Sequence, residues 1–214
     1  MSAARHGRIG WPAPSDLDPA ARALYDVIVG GPRAADGAAS PITNDAGRLE
    51  GPFNAMLCSP RVGGALQGVG AAIRYGSSLD AVAREIAILV VAATEGSPFE
   101  WYAHERLARA AGLSEEALLA ILDGRPPEDV SAAVGAVWAA TAALCASGDW
   151  DEEQYGAIQA AVGEAGAVEL LVLVGYYRTL ALMLRALRVP LPAGAQTPIV
   201  AGVRHADRER KDTQ

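Results

Sequence analysis

The chain has 214 residues, 51% of them hydrophobic, and a formal net charge of −7 at pH 7. This length and apolar content suit one compact domain, and the negative charge disfavours nucleic acid or an anionic membrane as a partner. The first residues contain no apolar core of signal-peptide length and the two cysteines make no disulfide framework, so we expect a cytoplasmic protein. Because the charge disfavours nucleic acid and membranes, the expected partner is a small molecule.

The first part of the chain predicts an arm, a helix and a long loop. Residues 1–16 are rich in Pro, Gly and Ala, which is typical of an N-terminal arm that wraps a neighbour or stays loose. A helix is predicted from Asp16, with Pro19 in its first turn. Residues 30–52 then predict an irregular loop, and loops of this length usually serve a function.

Two helices are predicted next, over residues 61–78 and 78–96. In the second helix, apolar residues recur at three- and four-residue steps, which indicates one buried stripe. The stripe consists of Leu79, Val82, Ile86, Leu89 and Ala93.

Five more helices are predicted downstream. Ser97 begins a helix that Gly112 ends, and a short helix runs from Ser114 as its N-cap to Gly124 just after its end. Three longer apolar segments follow, over residues 130–148, 151–166 and 167–187.

Together these elements predict an all-α fold, because no alternating strand pattern of useful length occurs. We expect one bundle of about seven to nine helices over residues 17–190, followed by a polar C-terminal tail over 191–214. The apolar segment 167–187 is long enough to cross a bilayer, but it carries Glu169, Arg178 and Arg185, which would be costly there. It therefore predicts a core helix and no membrane partner.

Two residue types are scarce, and their positions restrict the possible chemistry. The 18 basic residues include one lysine, Lys211 in the tail, so Schiff-base catalysis by a lysine in the folded body is excluded. Of the three histidines, His6 and His205 lie near the termini. Imidazole chemistry is therefore expected at His104.

The segment "SPFEWYAH", residues 97–104, has two interpretations. Ser97 and Glu100 have the spacing of a capping box, which would make the segment an ordinary helix start. Glu100 and His104 are four residues apart and share a helix face, as in a surface pair. However, Phe99, Trp101 and Tyr102 surround them, and apolar surroundings raise the pKa of a carboxylic acid toward working pH.

Glu85 is the second unusual carboxylate, because its helical neighbours are all apolar. If the helices over 78–96 and 97–112 fold back on each other through "EGS", Glu85 lies about two and a half turns from the corner and His104 about two turns from it. The two side chains are then expected to face each other.

The segment "REIAILVVAATEGSPFEWYAHERLARAAGLSEE", residues 84–116, resembles the core motif of the carboxymuconolactone decarboxylase superfamily, which also holds the alkylhydroperoxidase D-like proteins. The resemblance extends over roughly residues 10–192. It implies an all-helical protein that assembles as a trimer or hexamer, with a site lined by the motif helices and sometimes by an adjacent subunit.

The resemblance favours the decarboxylase-like branch over the peroxidase branch. The peroxidase pattern of Glu, C-x-x-C and His maps onto Glu85, Ser97, Glu100 and His104, so both sulfurs are absent here. Cys58 and Cys145 lie far outside the motif, and thiol peroxidase activity is not expected. "FEWYAH" instead carries the Glu-Trp that precedes the histidine in the decarboxylase branch.

This branch implies a cofactor-independent lyase (decarboxylase) or isomerase that acts by acid–base catalysis on a small carboxylated or lactone-like metabolite. His104 is the expected proton donor or shuttle, Glu100 the acid or base coupled to it, and Glu85 the group that orients the imidazole. A natural-product tailoring cyclase or lyase is the main variant. The alternatives are a metal-assisted enzyme with these three residues as ligands and a non-catalytic protein on the same scaffold.

An anionic substrate also needs polar and aromatic contacts, although core packing is an alternative for every residue that could supply them. Arg48, Arg74, Arg84 and Arg178 are the candidate cations. Ser97 and Asn54 are candidate hydrogen-bond donors. The candidate walls of the pocket are Trp11, Trp101, Tyr102, Tyr176 and Tyr177.

Overall fold

The computed structural model describes residues 4–32 and 42–199. Eight α-helices are described in full within these ranges, which confirms the all-α fold. They are α1 (Pro19–Val29), α2 (Gly51–Leu57), α3 (Pro60–Gly76), α4 (Ala81–Glu95), α5 (Pro98–Ala111), α6 (Glu115–Leu122), α7 (Ala132–Ala146) and α8 (Glu152–Leu187). The rest of the predicted loop, residues 33–41, and the tail from residue 200 onward lie outside the described residues.

Helix α4 is the centre of the bundle, and α5, α6, α7 and α8 all pack against it. Asp80 caps its start by accepting a hydrogen bond from the Ala83 backbone N–H at 2.8 Å. The residues of the predicted stripe are buried, apart from Val82, which is partly buried, but burial extends beyond the stripe to the whole circumference of α4 from Glu85 to Ala93. Surrounding helices cover every face, so the periodicity that marks one buried side is lost.

The predicted hairpin between α4 and α5 is present. Gly96 ends α4 in the left-handed conformation, at φ 59°, which a glycine adopts without the clash that a Cβ would cause. Ser97 and Pro98 then begin α5 at once, and Gly112 ends it at φ 108°. Ser114 caps α6 as predicted, accepting from the Ala117 N–H at 3.0 Å.

The last two predicted helices, residues 151–166 and 167–187, form one long helix with a break inside it. Asp151 and Gln154 form a capping box at the start of α8, with reciprocal bonds of 2.8 and 3.0 Å. Gly163 interrupts the helix at φ 75° and ψ 175°. The break therefore falls three residues before the predicted boundary, at a residue that tolerates a positive φ.

The described part of the N-terminal arm packs against its own chain and is therefore not loose. Strands β1 (Arg5–His6) and β2 (Ile9–Gly10) form a short antiparallel hairpin, too short to show an alternating pattern. The Arg8 backbone N–H donates to the carbonyl of Leu187 at 2.7 Å. The following helix begins at Pro19 and not at Asp16, because Asp18 caps it.

One face of α8 is apolar and exposed. Val168 and Leu182 are each 56% exposed, and Leu171 and Val172 lie between them on the same side. By length and composition α8 also qualifies as a membrane span, with a mean hydropathy of 1.7 in its best window, of which 33% is buried. Soluble proteins rarely leave such a face uncovered, so it needs either a protein partner or a lipid one.

We propose that a second copy of this chain covers the apolar face of α8, and we expect self-association, most simply as a trimer or a hexamer. Leu171→Glu should lower the mass of the particle, because a buried charge at the contact would be costly. The matched control is Leu119→Glu, at a leucine on α6 that is 50% exposed. Light scattering at micromolar concentration measures the mass, and a wild-type particle of 22.1 kDa would contradict the expectation.

Candidate active site

The hairpin of α4 and α5 brings the side chains of Glu85 and His104 into contact, as its geometry predicted. Oε2 of Glu85 lies 2.7 Å from Nδ1 of His104, and the side chains are only 3% and 12% exposed. A carboxylate accepts hydrogen bonds, so Nδ1 carries the proton in this pair. Nε2 of the neutral imidazole is then the nitrogen that can accept a proton.

Burial alone would raise the pKa of Glu85, but its neighbours reverse the effect. The hydrogen bond of His104 and the positive charge of its imidazolium form, followed by the charges of Arg84 and Arg74, hold this pKa below its ordinary value. Nε of Arg84 lies 3.6 Å from Oε1 of Glu85. These two candidate arginines therefore stabilise the ionised Glu85.

Two tyrosines of α8 form the next layer around His104. The ring of Tyr177 meets the imidazole edge-on, with a centroid distance of 5.1 Å. Tyr176 packs edge-on against Tyr177 in turn, at 5.2 Å. The candidate Tyr177 is thus brought to the site, where it limits the rotation of the imidazole.

The predicted capping box at the start of α5 does not form. Ser97 occupies the N-cap position, but its hydroxyl accepts no hydrogen bond from the helix backbone. The hydroxyl of Ser97 and both carboxyl oxygens of Glu100 are buried without a hydrogen-bond partner. Glu100 likewise makes no hydrogen bond to His104, so the spacing of four residues does not produce the expected pair.

This isolation gives Glu100 an unusual charge state. Burial raises its pKa to about 8, and the charge of Glu95 adds to the effect. Ser97 and Arg185 favour the ionised form of Glu100 and so offset this rise in pKa only in part. The Ser97 hydroxyl is close to the carboxyl group but does not reach hydrogen-bond geometry. Glu100 is therefore mostly protonated at neutral pH, and no group within residues 4–32 and 42–199 accepts its proton in a hydrogen bond.

Glu95, which no sequence pattern singled out, organises the cations near Glu100. It accepts a hydrogen bond from Nε of Arg178 at 3.1 Å, and Nη1 of Arg185 lies 3.4 Å from its other oxygen. Arg178 also donates to the carbonyls of Leu144 and Cys145. The side chain of Arg178 thus fastens α8 to α4 and α7, which favours the structural alternative to its predicted role in binding an anionic substrate.

A cavity of about 420 Å³ opens beside the start of α5. Ser97 and Phe99 line it at the start of α5, and Arg185 lines it from α8. Arg188, the C-cap residue of α8, lines it as well. Glu100 is one turn away from Ser97 and interacts with both Ser97 and Arg185. Buried polar groups without partners beside an apolar cavity are the usual composition of a small-molecule site.

Two aromatic candidates of α5 do not reach this cavity. Trp101 is buried in the core, and its indole N–H donates to Glu105 at 2.9 Å. Tyr102 lies under the guanidinium of Arg106 and lines a different, more polar depression. Both residues serve packing and surface contacts, which was the alternative interpretation of the sequence.

Arg48 and Asn54 line a second cavity, of about 450 Å³, together with Trp11. The amide of Asn54 donates to the carbonyl of Gly10 at 2.9 Å and so holds the N-terminal hairpin. Arg48 lies over the ring of Trp11, 5.8 Å from its centroid. The structure thus brings these candidates together, but in a cavity that neither Glu100 nor His104 lines.

Sequence reasoning missed His6, which is only 1% exposed. It lies against Trp11 with a ring distance of 4.7 Å, and its Nε2 accepts a hydrogen bond from the Gly51 N–H at 3.2 Å. Burial lowers the pKa of His6 and raises that of Glu50, whose carboxyl is 3.7 Å away. No local pattern marked His6, because its burial depends on the folding back of the arm.

The raised pKa of Glu100 makes the stability of the fold depend on pH. Between about pH 4.5 and 8 the folded state keeps this proton and the unfolded state loses it, so stability falls as the pH rises. Glu100→Gln should therefore gain stability relative to the wild type across this window, by at most about 1.4 kcal/mol for each pH unit. Thermal melts at several pH values test this, with Glu116→Gln as an exposed control. A difference that does not change with pH would contradict it.

The comparison with known proteins agrees with the motif. Residues 60–146, from the start of α3 to the end of α7, match the model of the carboxymuconolactone decarboxylase family. The match includes Glu85, Ser97, Glu100 and His104. No curated protein matches the chain. This match supports the assignment of the chain to the carboxymuconolactone decarboxylase superfamily.

Proposed function

We propose that the chain is a cofactor-independent lyase (decarboxylase) or isomerase that acts by acid–base catalysis on a small carboxylated or lactone-like metabolite. The observation that carries the proposal is Glu100, a buried carboxylic acid with no hydrogen-bond partner and a pKa of about 8. A general acid works best when its pKa is near the working pH. Membership of the family supports decarboxylase-like chemistry in general.

Glu100 is proposed to supply the proton that such a reaction needs. In a decarboxylation, the bond between the substrate carbon and the carboxylate breaks, and its electron pair passes to the adjacent conjugated carbonyl as an enolate. The carboxylic acid of Glu100 protonates the enolate carbon, and CO₂ leaves. In an isomerisation the same proton is added at one carbon and another is removed from a neighbouring carbon, so no group is lost.

The pair of Glu85 and His104 is proposed to restore this proton. Glu85 holds Nδ1–H of the imidazole at 2.7 Å, so Nε2 takes up a proton from solvent and passes it to the ionised Glu100. His104 is one helical turn from Glu100 on α5. A substrate or a solvent molecule between the two residues would complete the transfer, with Glu85 stabilising the imidazolium.

A metal-assisted reaction is less well supported by the residues themselves. Within residues 4–32 and 42–199, no three Asp, Glu, His or Cys side chains gather in a metal-binding arrangement. Glu85 and His104 contact each other, while Glu100 is not part of that contact. A non-catalytic role would leave the unpartnered acid of Glu100 without a purpose, at a cost in stability.

The proposal requires that Glu100 and His104 both carry chemistry. Glu100→Gln and His104→Gln should each lower turnover by roughly 10²–10⁴, the usual effect of losing a positioned proton-transfer group. Glu85→Gln should lower it less, because an amide oxygen can still accept from Nδ1–H. Trial substrates are carboxymuconolactone and related carboxylated lactones in D₂O, with deuterium uptake and CO₂ release as the measurements.

Trp101→Phe is the control for the structural interpretation, because it removes the bond to Glu105 within the same helix without touching the cavity. Circular dichroism should show folded protein for every variant. If Glu100→Gln and His104→Gln melt the protein while the folded fraction turns over normally, the segment is a helix start and the proposal fails.

We also expect no thiol-dependent peroxidase activity. Burial raises the pKa of Cys58, and it raises that of Cys145 to about 11, so neither thiol forms a reactive thiolate at neutral pH. Reduction of an alkyl hydroperoxide with dithiothreitol should match the rate without protein. A peroxidase rate that Cys58→Ser or Cys145→Ala abolishes would contradict this expectation.

A further inference from the structure

Arg188 has an unusual backbone conformation. It is the one non-glycine residue with a positive φ, 55°, among the residues that the structure describes. This left-handed position just after a helix usually belongs to glycine, because a Cβ there is strained. An arginine at such a position therefore needs a reason beyond the ending of α8.

The side chain of Arg188 is also the least committed of the cations near the cavity. Arg185 and Arg178 are both held by Glu95. Within the described ranges, Arg188 makes backbone hydrogen bonds at the helix end, but its guanidinium has no hydrogen bond or ion pair. It is exposed and lines the cavity of about 420 Å³ beside Ser97.

The N-terminal hairpin braces Arg188 from behind. Gly7, at φ 68°, lies so close to the carbonyl oxygen of Arg188 that a Cβ at that position would clash with it. Next to it, Arg8 bonds to the carbonyls of Leu187 and Ala186. The hairpin thus holds the backbone that carries the guanidinium, which limits the conformational freedom lost on binding.

The rest of the cavity is apolar. Phe99, Leu184, Leu191 and Ile199 contribute to its wall, and Ser97 provides a hydroxyl without a partner. Glu95 is the carboxylate whose charge raises the pKa of Glu100, and Arg178 and Arg185 balance that charge. An anion in this cavity would therefore meet an excess of positive charge and little repulsion.

We propose that this cavity binds an apolar carboxylate. Arg188 holds the carboxylate group, and the apolar wall packs against the rest of the ligand. The inference rests on the proposed function and extends it by naming the class of substrate and the cation that selects it. Arginine suits this task because its planar guanidinium can donate two parallel hydrogen bonds to a carboxylate.

The carboxylate on Arg188 is an anchor and stays on the product. A charge-assisted bond stabilises the ground state of the group that it holds, which opposes its departure as CO₂. The reacting carbon is instead a second one, placed next to Ser97 and so one helical turn from Glu100. The substrate is therefore an acid whose second functional group, a lactone, an enone or a further carboxylate, undergoes the proton transfer.

Direct binding tests the inference without any turnover. Isothermal titration calorimetry at neutral pH compares naphthylacetate, naphthylacetamide and acetate on the full-length chain. Naphthylacetate should bind at least about tenfold more tightly than the neutral amide or acetate, because only naphthylacetate satisfies both the guanidinium and the apolar wall.

Arg188→Gly is the decisive variant, because glycine relieves the left-handed strain while removing the guanidinium. It should melt at the same temperature as the wild type or higher, and it should bind naphthylacetate about 10- to 100-fold more weakly without any change for the amide. Arg188→Lys should recover part of the loss. Arg125→Gln, at an exposed arginine that pairs with Asp123, is the control and should change nothing.

Equal binding of the acid and the amide, unchanged binding by Arg188→Gly, or no binding of naphthylacetate at millimolar concentration would each overturn the inference. Glu100→Gln separates it from the proposed function, since that variant should lose turnover and still bind naphthylacetate. If instead Arg188→Gly binds normally while Glu100→Gln is inactive, the carboxylate site is wrong and the acid–base proposal stands.

Discussion

The structure depends on the burial of α4, which is covered on every side from Glu85 to Ala93. Any charged group on this helix must be neutralised inside the protein, because an isolated buried carboxylate is too costly. Glu85 meets His104 on α5, and Glu95 meets Arg178 and Arg185 on α8. The same contacts that neutralise α4 therefore fasten its neighbours to it and set the orientation of the imidazole.

The hairpin of α4 and α5 holds two carboxyl groups whose pKa values move in opposite directions. Cationic neighbours lower that of Glu85, whereas burial raises that of Glu100. Such a separation is how an enzyme keeps one carboxylate ionised and one carboxylic acid protonated at the same pH. The difference arises from partners: Glu85 has an imidazole at 2.7 Å, whereas Glu100 has no hydrogen-bond partner in the part of the chain that the structure describes.

The α4–α5 hairpin and the contact of Glu85 with His104 could be predicted from the sequence, because short-range signals determine both. Helix spacing and a glycine turn are local features. The partner of Arg178 could not be predicted, since Glu95 lies 83 residues away in the chain. The isolation of Glu100 could not be predicted either, because its spacing from Ser97 also suits a capping box. Only the packing of other helices decides whether Glu100 forms that box or stays without a partner. The surroundings of Arg48 and Asn54 could not be predicted for the same reason, because both contact the N-terminal arm, about 40 residues away in the chain.

The break at Gly163 leaves the rest of α8, residues 164–187, as one continuous helix with two distinct faces. One side carries Tyr177 and Arg185 toward the candidate site, and the other carries the exposed Val168 and Leu182. A rotation of this helix moves both sides together. With one face used for self-association and the other for ligand binding, as proposed, assembly and ligand binding are thermodynamically linked. A ligand that tightens the assembly is then itself bound more tightly by the assembled form.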